Sequence, residues 1–190
     1  MDHYWGIVMV KNVKVVRGTR FSFYQEYTHE DYLLYLHSLI TNLGYCNLKI
    51  LIITTRLGLN GKVRKIIRFH TWTYNKFNTI HNEWYGYDNK KIVLRNLEKY
   101  LSLLALSIWI MDDGCKVNSG LKFATNCFSY DDHLYLIKVL QSKYNLKCSI
   151  IKAGFLNQYN IYIWKESMLL LYSIVKLYII LSMKYKVLQS

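Results

Sequence analysis

The sequence predicts an α+β fold made of two similar halves, residues 1–96 and 97–190, each with the element order αββαββα. The first reason is an internal repeat, because two similar stretches of sequence imply two similar structural units. The second is that strand-like and helix-like spacings of apolar residues follow one another in the same order in both halves. Each half is also basic, with 14 basic against 6 acidic residues in the first half and 11 against 6 in the second.

The repeat is clearest where residues 23–45 align without gaps to residues 124–146. In each copy a strand leads into an amphipathic helix that starts with a Ser/Thr-x-x-acid pair, a spacing typical of helix N-caps. The two pairs are Thr28 with Asp31 and Ser129 with Asp132. Gly44 and Asn145 are predicted to end the two helices, since both residue types tolerate positive φ.

Apolar periodicity assigns the remaining elements. The predicted helices cover residues 2–11, 29–43, 74–85, 100–112, 130–144 and 166–180. The predicted strands cover residues 13–17, 19–27, 47–56, 64–72, 115–118, 121–128, 147–153 and 159–164. Helices that cover one face of each sheet leave the other face free.

Charge indicates what the free faces bind. The chain carries 25 Lys and Arg against 12 Asp and Glu, a net charge of +13 that favours a polyanionic partner. We exclude a membrane, because the longest apolar stretch, Met168 to Leu181, contains Lys176 and is shorter than the roughly 20 residues of a spanning helix. Basic residues on or beside the strands are therefore candidates for binding nucleic acid. They are Lys14, Arg17, Arg20, Arg56, Arg64, Lys65, Arg68, Lys122, Lys147 and Lys152.

Composition indicates an organelle. The chain contains no proline, and because proline codons are rich in C, this absence suggests an extremely AT-biased genome. The N-terminus has neither the positive region of a secretory signal nor the Arg-rich and Ser-rich character of a transit peptide. We therefore expect a protein made and used inside an organelle, with its four cysteines as free thiols.

Residues 101–116 read LSLLALSIWIMDDGCK, an apolar helix that ends abruptly in Asp112, Asp113 and Gly114. Acids at a helix C-terminus oppose the helix dipole, at a cost of roughly 0.3–1 kcal/mol. A divalent metal would offset that cost. The alternative is an ordinary exposed Asp-Asp-Gly turn without a metal.

The stretch LALSIWIMDDG at residues 104–114 resembles the second signature helix of the LAGLIDADG homing endonucleases. Other segments follow the order and spacing of that family, namely residues 66–85, 90–114, 123–146 and 183–186. The resemblance implies two signature helices packed at a pseudo-twofold axis and two antiparallel sheets that form a saddle over nucleic acid. It also implies that Asp113 holds a divalent metal such as Mg²⁺, with Asp112 at a less essential position.

The first signature motif departs from the family pattern. Residues 5–12 read WGIVMVKN where members read approximately G-x-L-L-G-D-G, so Gly6 matches the first glycine and Lys11 the catalytic aspartate. A charged ammonium cannot ligate magnesium, so the resemblance implies that cleavage is lost and that Lys11 pairs with Asp113 in place of the metal. Alternatively, Asp2 or a missing N-terminal exon supplies the acid.

Four further residues match family positions near the scissile phosphates. Gln25 and Asn126 resemble polar residues that face the active-site waters. Lys91 and Lys186 resemble basic residues beside the phosphates. Alternatively, the two lysines are simply members of a large basic set.

We expect a monomer, internally a pseudo-dimer, that binds structured RNA in mitochondria and no longer cuts. The RNA is either a group I intron, with the protein as a maturase, or ribosomal RNA, with the protein as a mitoribosomal component beside ribosomal proteins. No cofactor is expected in either case. The alternative is an active DNA homing endonuclease, or a nickase, that hydrolyses a phosphodiester of duplex DNA with Mg²⁺. A decaying reading frame without a selected role is a third hypothesis.

Overall fold

The computed structural model describes residues 6–12, 18–49, 51–57, 61, 63–86 and 90–188, and for residues 6–12 only the backbone. These residues belong to two compact units, Met1–Asn82 and Glu83–Ser190. Residues 83–96 therefore pack in the second unit, and the boundary of the repeats at residue 96 stays a prediction. None of the described helices is long and apolar enough to cross a membrane.

The first unit contains a four-stranded antiparallel sheet with one face against a helix. Its elements are β1 (Gly6–Asn12), β2 (Gly18–Glu26), α1 (Glu30–Asn42), β3 (Ile52–Leu57), β4 (Val63–His70) and α2 (Phe77–Trp84), whose end enters the second unit. The strands lie in the order β1-β2-β4-β3. Phe23 and Phe69 pair across β2 and β4 with stacked rings 4.5 Å apart, and Leu33 and Leu36 of α1 are buried with them.

The second unit has a sheet of the same kind with additional helices. Its elements are α3 (Leu97–Tyr100), α4 (Leu103–Asp113), β5 (Gly114–Val117), β6 (Gly120–Phe123), α5 (Tyr130–Tyr144), β7 (Cys148–Lys152), β8 (Tyr159–Ile163), α6 (Lys165–Val175) and a 3₁₀ segment (Leu181–Lys186). The strands lie in the order β5-β6-β8-β7. Trp109 of α4 stacks on Phe123 of β6 with ring centroids 4.0 Å apart, so α4 packs on the sheet.

The internal repeat is confirmed by this shared strand order. It extends to single hydrogen bonds at the two aligned tryptophans. The backbone N–H of Trp72 donates to the carbonyl of Tyr45 at 2.8 Å, and that of Trp164 donates to the carbonyl of Lys147 at 3.0 Å. The predicted α+β class with two antiparallel sheets is therefore confirmed.

The predicted helix caps are confirmed in the second unit and only in part in the first. The Ser129 hydroxyl accepts from the Asp132 N–H and the Asp132 carboxylate accepts from the Ser129 N–H, a complete capping box. Gly44 and Asn145 have φ of 76° and 54°, as predicted for residues that end helices. The cap at Thr28 was wrong, because this residue lies inside a 3₁₀ turn (Tyr27–His29) and α1 begins after His29 without a side-chain cap.

The predicted helix over residues 2–11 was wrong where the structure describes it. Gly6–Asn12 forms strand β1, which pairs antiparallel with β2 along its whole length. The run GIVMVKN starts with a glycine and is rich in β-branched residues, which favour strands when a free sheet edge is available. Gly6–Asn12 therefore forms no signature helix, and among the described residues the order αββαββα holds in the second unit alone.

Three element boundaries also differ from the prediction by five residues, the first being the start of β3 at Ile52 rather than at residue 47. β6 ends at Phe123 rather than at residue 128, because the next N–H, that of Ala124, donates to the carbonyl of Asp113 outside the sheet. α6 ends at Val175, five residues before the predicted end at residue 180.

Candidate nucleic-acid interface and acidic site

The C-terminus of α4 brings two carboxylates together at Asp112 and Asp113. The helix starts at an N-cap where the Ser102 hydroxyl accepts from the Ala105 N–H. It ends where the Gly114 N–H donates to the carbonyl of Ile110, so close to the backbone that a side chain at Gly114 would overlap the carbonyl oxygen. A glycine after Asp113 is thus required by this turn.

Lys186 caps the same helix end. Its side chain is only 8% exposed, and its ammonium donates to the carbonyl of Met111 at 2.5 Å and to that of Ile110 at 3.5 Å. A cation at a helix C-terminus interacts favourably with the helix dipole and satisfies carbonyls that the helix leaves unpaired. Lys186 therefore offsets the cost of placing two acids at the end of α4.

Electrostatics at Asp113 favour the protonated acid. Burial and the neighbouring Asp112 carboxylate raise the pKa of the Asp113 carboxyl to about 7, against the opposing effect of Lys91 and Lys186. Burial also lowers the pKa of the Lys186 ammonium, which Asp112, Cys115 and Asp113 act to raise. Two acids with two lysines nearby thus form one charge cluster in the second unit.

A groove with a volume of about 610 Å³ adjoins this cluster. Its lining comes from residues before α3, from the loop between β6 and α5, and from Asn157 in the loop between β7 and β8. Lys91 and Asn126, both predicted site residues, lie in this lining. Lys91 also acts to lower the pKa of both the Asp113 carboxyl and the Cys127 thiol, so its ammonium lies near both groups.

The acid pair fits one divalent cation. Mg²⁺ binds through one or two carboxylates and keeps several waters, and a cation between Asp112 and Asp113 would relieve the repulsion that raises the Asp113 pKa. Across the described parts of the chain, no cluster of three or more His, Cys, Asp or Glu side chains adds further ligands. When bound, such an ion would supply activation of water for attack on a phosphodiester.

The open face of the first sheet carries a cluster of cations. Phe23 and Phe69 face α1, and strand alternation puts four arginines on the opposite face. These are Arg20, Arg56, Arg64 and Arg68. We call them the arginine face. Lys65 lies one residue out of phase with them and belongs to the helix side of the sheet.

Two details show how concentrated this charge is. Arg56 and Arg64 are directly opposite each other on β3 and β4, where like charges destabilise a sheet. Burial lowers the pKa of the His70 imidazole, and Arg20 and Arg68 lower it further. Such an arrangement is favourable when an anion lies against the face.

The open face of the second sheet is less basic. Lys122 pairs with Tyr162 there, and the indole N–H of Trp164 donates to the Ser149 hydroxyl at 3.0 Å. Lys147 is exposed just before β7, and Lys152 is exposed at the end of β7 on the helix side of the sheet.

The remaining predicted site residues lie elsewhere. Gln25 is buried in β2 opposite Ile67, on the helix side of the first sheet. The backbone of Lys11 pairs with Thr19 in β1, and its side chain is outside the described part of the chain. Lys14, Arg17 and Asp2 lie outside the described residues altogether.

Sequence reasoning missed the aromatic and histidine members of the two open faces. Tyr162 and His70 share those faces with the cations only because of the strand register. Within one strand the sequence does indicate which side chains share a face, since side chains two residues apart lie on the same face. The register between strands, by contrast, requires the structure.

Comparisons with known proteins agree with this geometry. The chain matches the LAGLIDADG DNA endonuclease family over residues 6–171. It is 55% identical over 176 residues to the cytochrome b mRNA maturase bI2 of Saccharomyces cerevisiae, which covers 90% of this chain and 42% of the relative. It is 51% identical over 170 residues to the maturase of the same name from Debaryomyces hansenii, which covers 90% of this chain and 64% of the relative. The chain thus spans less than two thirds of the length of both curated relatives.

A solved structure shares the fold. The homing endonuclease I-WcaI, bound to its DNA recognition sequence, superposes with a TM-score of 0.82 at 25% identity, over 97% of this chain and 81% of that one. With the family match, the identity to two maturases and the acid-ended helix α4, these findings show that the chain belongs to the LAGLIDADG DNA endonuclease family.

Proposed function

We propose that this chain is a maturase that binds the structured RNA of a group I intron in mitochondria and does not cut duplex DNA. The proposed RNA binding rests on the arginine face. Arg56 and Arg64 are opposed like charges, and a phosphate between them turns a repulsive pair into two charge-assisted contacts. Phosphate contacts supply most of the affinity of proteins for nucleic acid.

The two bI2 maturases support intron RNA over ribosomal RNA as the partner. Their names specify cytochrome b mRNA, and a cytochrome b transcript supports the mitochondrion as the compartment. The absence of proline supports the same compartment through the coding bias of an organelle genome.

The loss of cutting rests on the first motif. Cleavage in this family is expected to need one acid from each signature motif around shared metal. Lys11 stands where the sequence repeat places the first acid, but its segment is strand β1, the counterpart of β5, rather than a signature helix. Within the described residues no first signature helix presents an acid as counterpart to Asp113, although the scaffold that presents Asp113 is intact.

A splicing and binding assay tests this proposal. A group I intron RNA from a cytochrome b transcript is mixed with the purified protein, with a structured RNA of equal length but unrelated sequence as control. We expect faster splicing at Mg²⁺ concentrations where the RNA alone splices slowly, and tighter binding of the intron than of the control. Equal binding of both RNAs without a change in splicing would refute the maturase.

A DNA nickase or endonuclease is the second candidate, and three features of the chain favour it. The Asp112–Asp113 pair, Lys91 and the I-WcaI fold are all retained. Under the main proposal the protein leaves duplex DNA uncut with Mg²⁺, and so does its Asp113→Asn variant. Cutting by the unaltered chain, abolished by Asp113→Asn, would establish the enzyme instead.

A further inference from the structure

The hairpin between β7 and β8 ends in an apolar tip. Phe155 is 76% exposed and Leu156 is 91% exposed, next to each other in sequence. Two large apolar side chains this exposed at one turn are unusual for a loop that only connects strands, and they mark a contact surface. Neither residue contributes to the core of the second sheet.

The turn holds these side chains outward. The Ala153 N–H donates to the Gln158 carbonyl at 3.0 Å, and the Gln158 N–H donates to the Phe155 carbonyl at 3.3 Å. Gly154 and Asn157 have φ of 86° and 58°, so both flanks of the tip adopt the left-handed conformation that closes a tight turn. A tip closed by its own hydrogen bonds is presented without further ordering of the chain.

The tip adjoins the groove beside the acidic site. Asn157 lines that groove together with Lys91 and Asn126, and the Asn126 amide donates to the Gln158 side chain at 3.4 Å. The segment from residue 148 to 164 contains no Asp or Glu, and Lys152 is exposed at the base of the hairpin. A polyanionic backbone that follows Lys152 therefore meets no carboxylate within this segment. In the groove it meets Lys91 together with Glu83 and with Asp132, which is paired with Arg95.

We propose that Phe155 and Leu156 form a stacking wedge that packs against an unpaired base of the bound RNA beside the Lys91 groove. This inference rests on the proposed RNA-binding function and adds a site for one exposed base. Unpaired bases in loops and bulges offer a free π-face, and aromatic side chains stack on such faces. Leu156 covers the edge of the same base and excludes water from it.

Surrounding charge favours a nucleobase over an apolar protein partner. An apolar tip with Lys152 at its base and Lys91 in the adjoining groove suits a ligand that is flat and apolar at its centre and anionic at its margin. A nucleotide has this combination, whereas a hydrophobic protein patch would leave Lys152 and Lys91 without anionic partners.

Fluorescence of a base analogue tests the wedge. The probe is a short RNA duplex with one unpaired 2-aminopurine, and its control is the same duplex fully paired. We expect the unaltered protein to bind the bulged duplex more tightly and to quench its fluorescence. Phe155→Ala loses the quenching and about 5- to 100-fold in affinity for the bulged duplex only, whereas Phe155→Tyr keeps both. Leu177→Ala, at a residue 84% exposed just after α6, is the matched control and changes neither.

The outcomes distinguish failure of the wedge from failure of RNA binding. If Phe155→Ala binds and quenches like the unaltered protein while both duplexes bind in a salt-dependent way, the wedge is overturned and RNA binding stands. If neither duplex binds at low salt, the wedge is overturned together with RNA binding. Selective loss in Phe155→Ala, restored in Phe155→Tyr, establishes the wedge.

Discussion

The two units share one strand order but differ in what they carry. The first presents the arginine face, whereas within β5–β8 of the second Lys122 is the only cation on the open side. The second instead holds α4, whose acid end is capped by Lys186. The arginine face and the acid pair at the end of α4 therefore lie in different units. Under the proposed function, this separation allows the loss of cutting without the loss of binding, because the two functions depend on different residues.

The largest expected effect comes from the arginine face. Exchanging both Arg56 and Arg64 for Glu should weaken RNA binding by about 100-fold near physiological salt, because two phosphate contacts become repulsive. Lys122→Glu, on the equivalent face of the second sheet, should weaken it by only about 10-fold. Fluorescence anisotropy over a salt series measures both effects. Equal losses for the two variants would show that the two sheets contribute equally to RNA binding, and would contradict the proposed difference between the units.

The next largest effect is expected at Lys186, which caps the C-terminus of α4. Lys186→Met should lower the free energy of unfolding by about 2–3 kcal/mol, because the carbonyl of Met111 loses its donor and the acids lose a nearby cation. Urea denaturation measures this change, with Lys176→Met at an exposed position as the control. A loss no larger than that of the control would mean that Lys186 contributes nothing to the stability of α4.

Asp113 should show a pH-dependent effect of smaller size. Its pKa in the folded protein is about 7 against an ordinary 3.8, so the fold favours the protonated acid. The resulting destabilisation is absent below about pH 4, grows as the pH rises to 7 and is complete above that value. Asp113→Asn should therefore raise the free energy of unfolding by about 1–2 kcal/mol at pH 8 without metal, and by nothing near pH 4.

Denaturation of both proteins at several pH values checks this sign. A stabilisation by Asp113→Asn that is equal at pH 4 and pH 8 would contradict the raised pKa. Added Mg²⁺ should reduce the difference at pH 8, since the ion binds the ionised carboxylate and stabilises the unaltered protein only.

The smallest expected change in stability is at the aligned positions Ser129 and Thr28, one in each half. Ser129→Ala should destabilise the protein by about 1 kcal/mol, because it removes the hydroxyl of a complete capping box. Thr28→Ala, at the aligned position, should change stability by less than about 0.5 kcal/mol, since that hydroxyl lies in a 3₁₀ turn and caps nothing. Thermal unfolding of the two variants separates them, and equal losses would contradict the observed difference.

Much of the fold was predictable because its signals are local. The cap at Ser129, the positive φ of Gly44 and Asn145 and the acid end of α4 each depend on a few adjacent residues. The prediction failed at Gly6–Asn12 for an equally physical reason. A short apolar run fits a helix or a strand, and its partner across the ladder, β2, decided the outcome.

The candidate site was predictable in its residues more than in their arrangement. Asp113, Lys91 and Lys186 were named from sequence, and the structure brings them together in the second unit. That Lys186 caps a helix was not predictable, because its carbonyl partner lies 75 residues earlier in the chain. The arginine face likewise depends on the register of β3 against β4, which no single strand reveals.

The late position of Lys186 has a consequence for synthesis. Helix α4 leaves the ribosome well before residue 186 does, so its two carboxylates are synthesised before the Lys186 ammonium is present. Until then the carbonyls at the end of α4 lack their donor, and Lys91 is the nearby cation that acts on Asp113. The last segment then fixes this end twice, through Lys186 on the helix and through the Lys116 ammonium on the carbonyl of Leu188 at 2.9 Å. A chain whose translation stops before residue 186 lacks both contacts, and we expect its second unit to unfold more readily than that of the full chain.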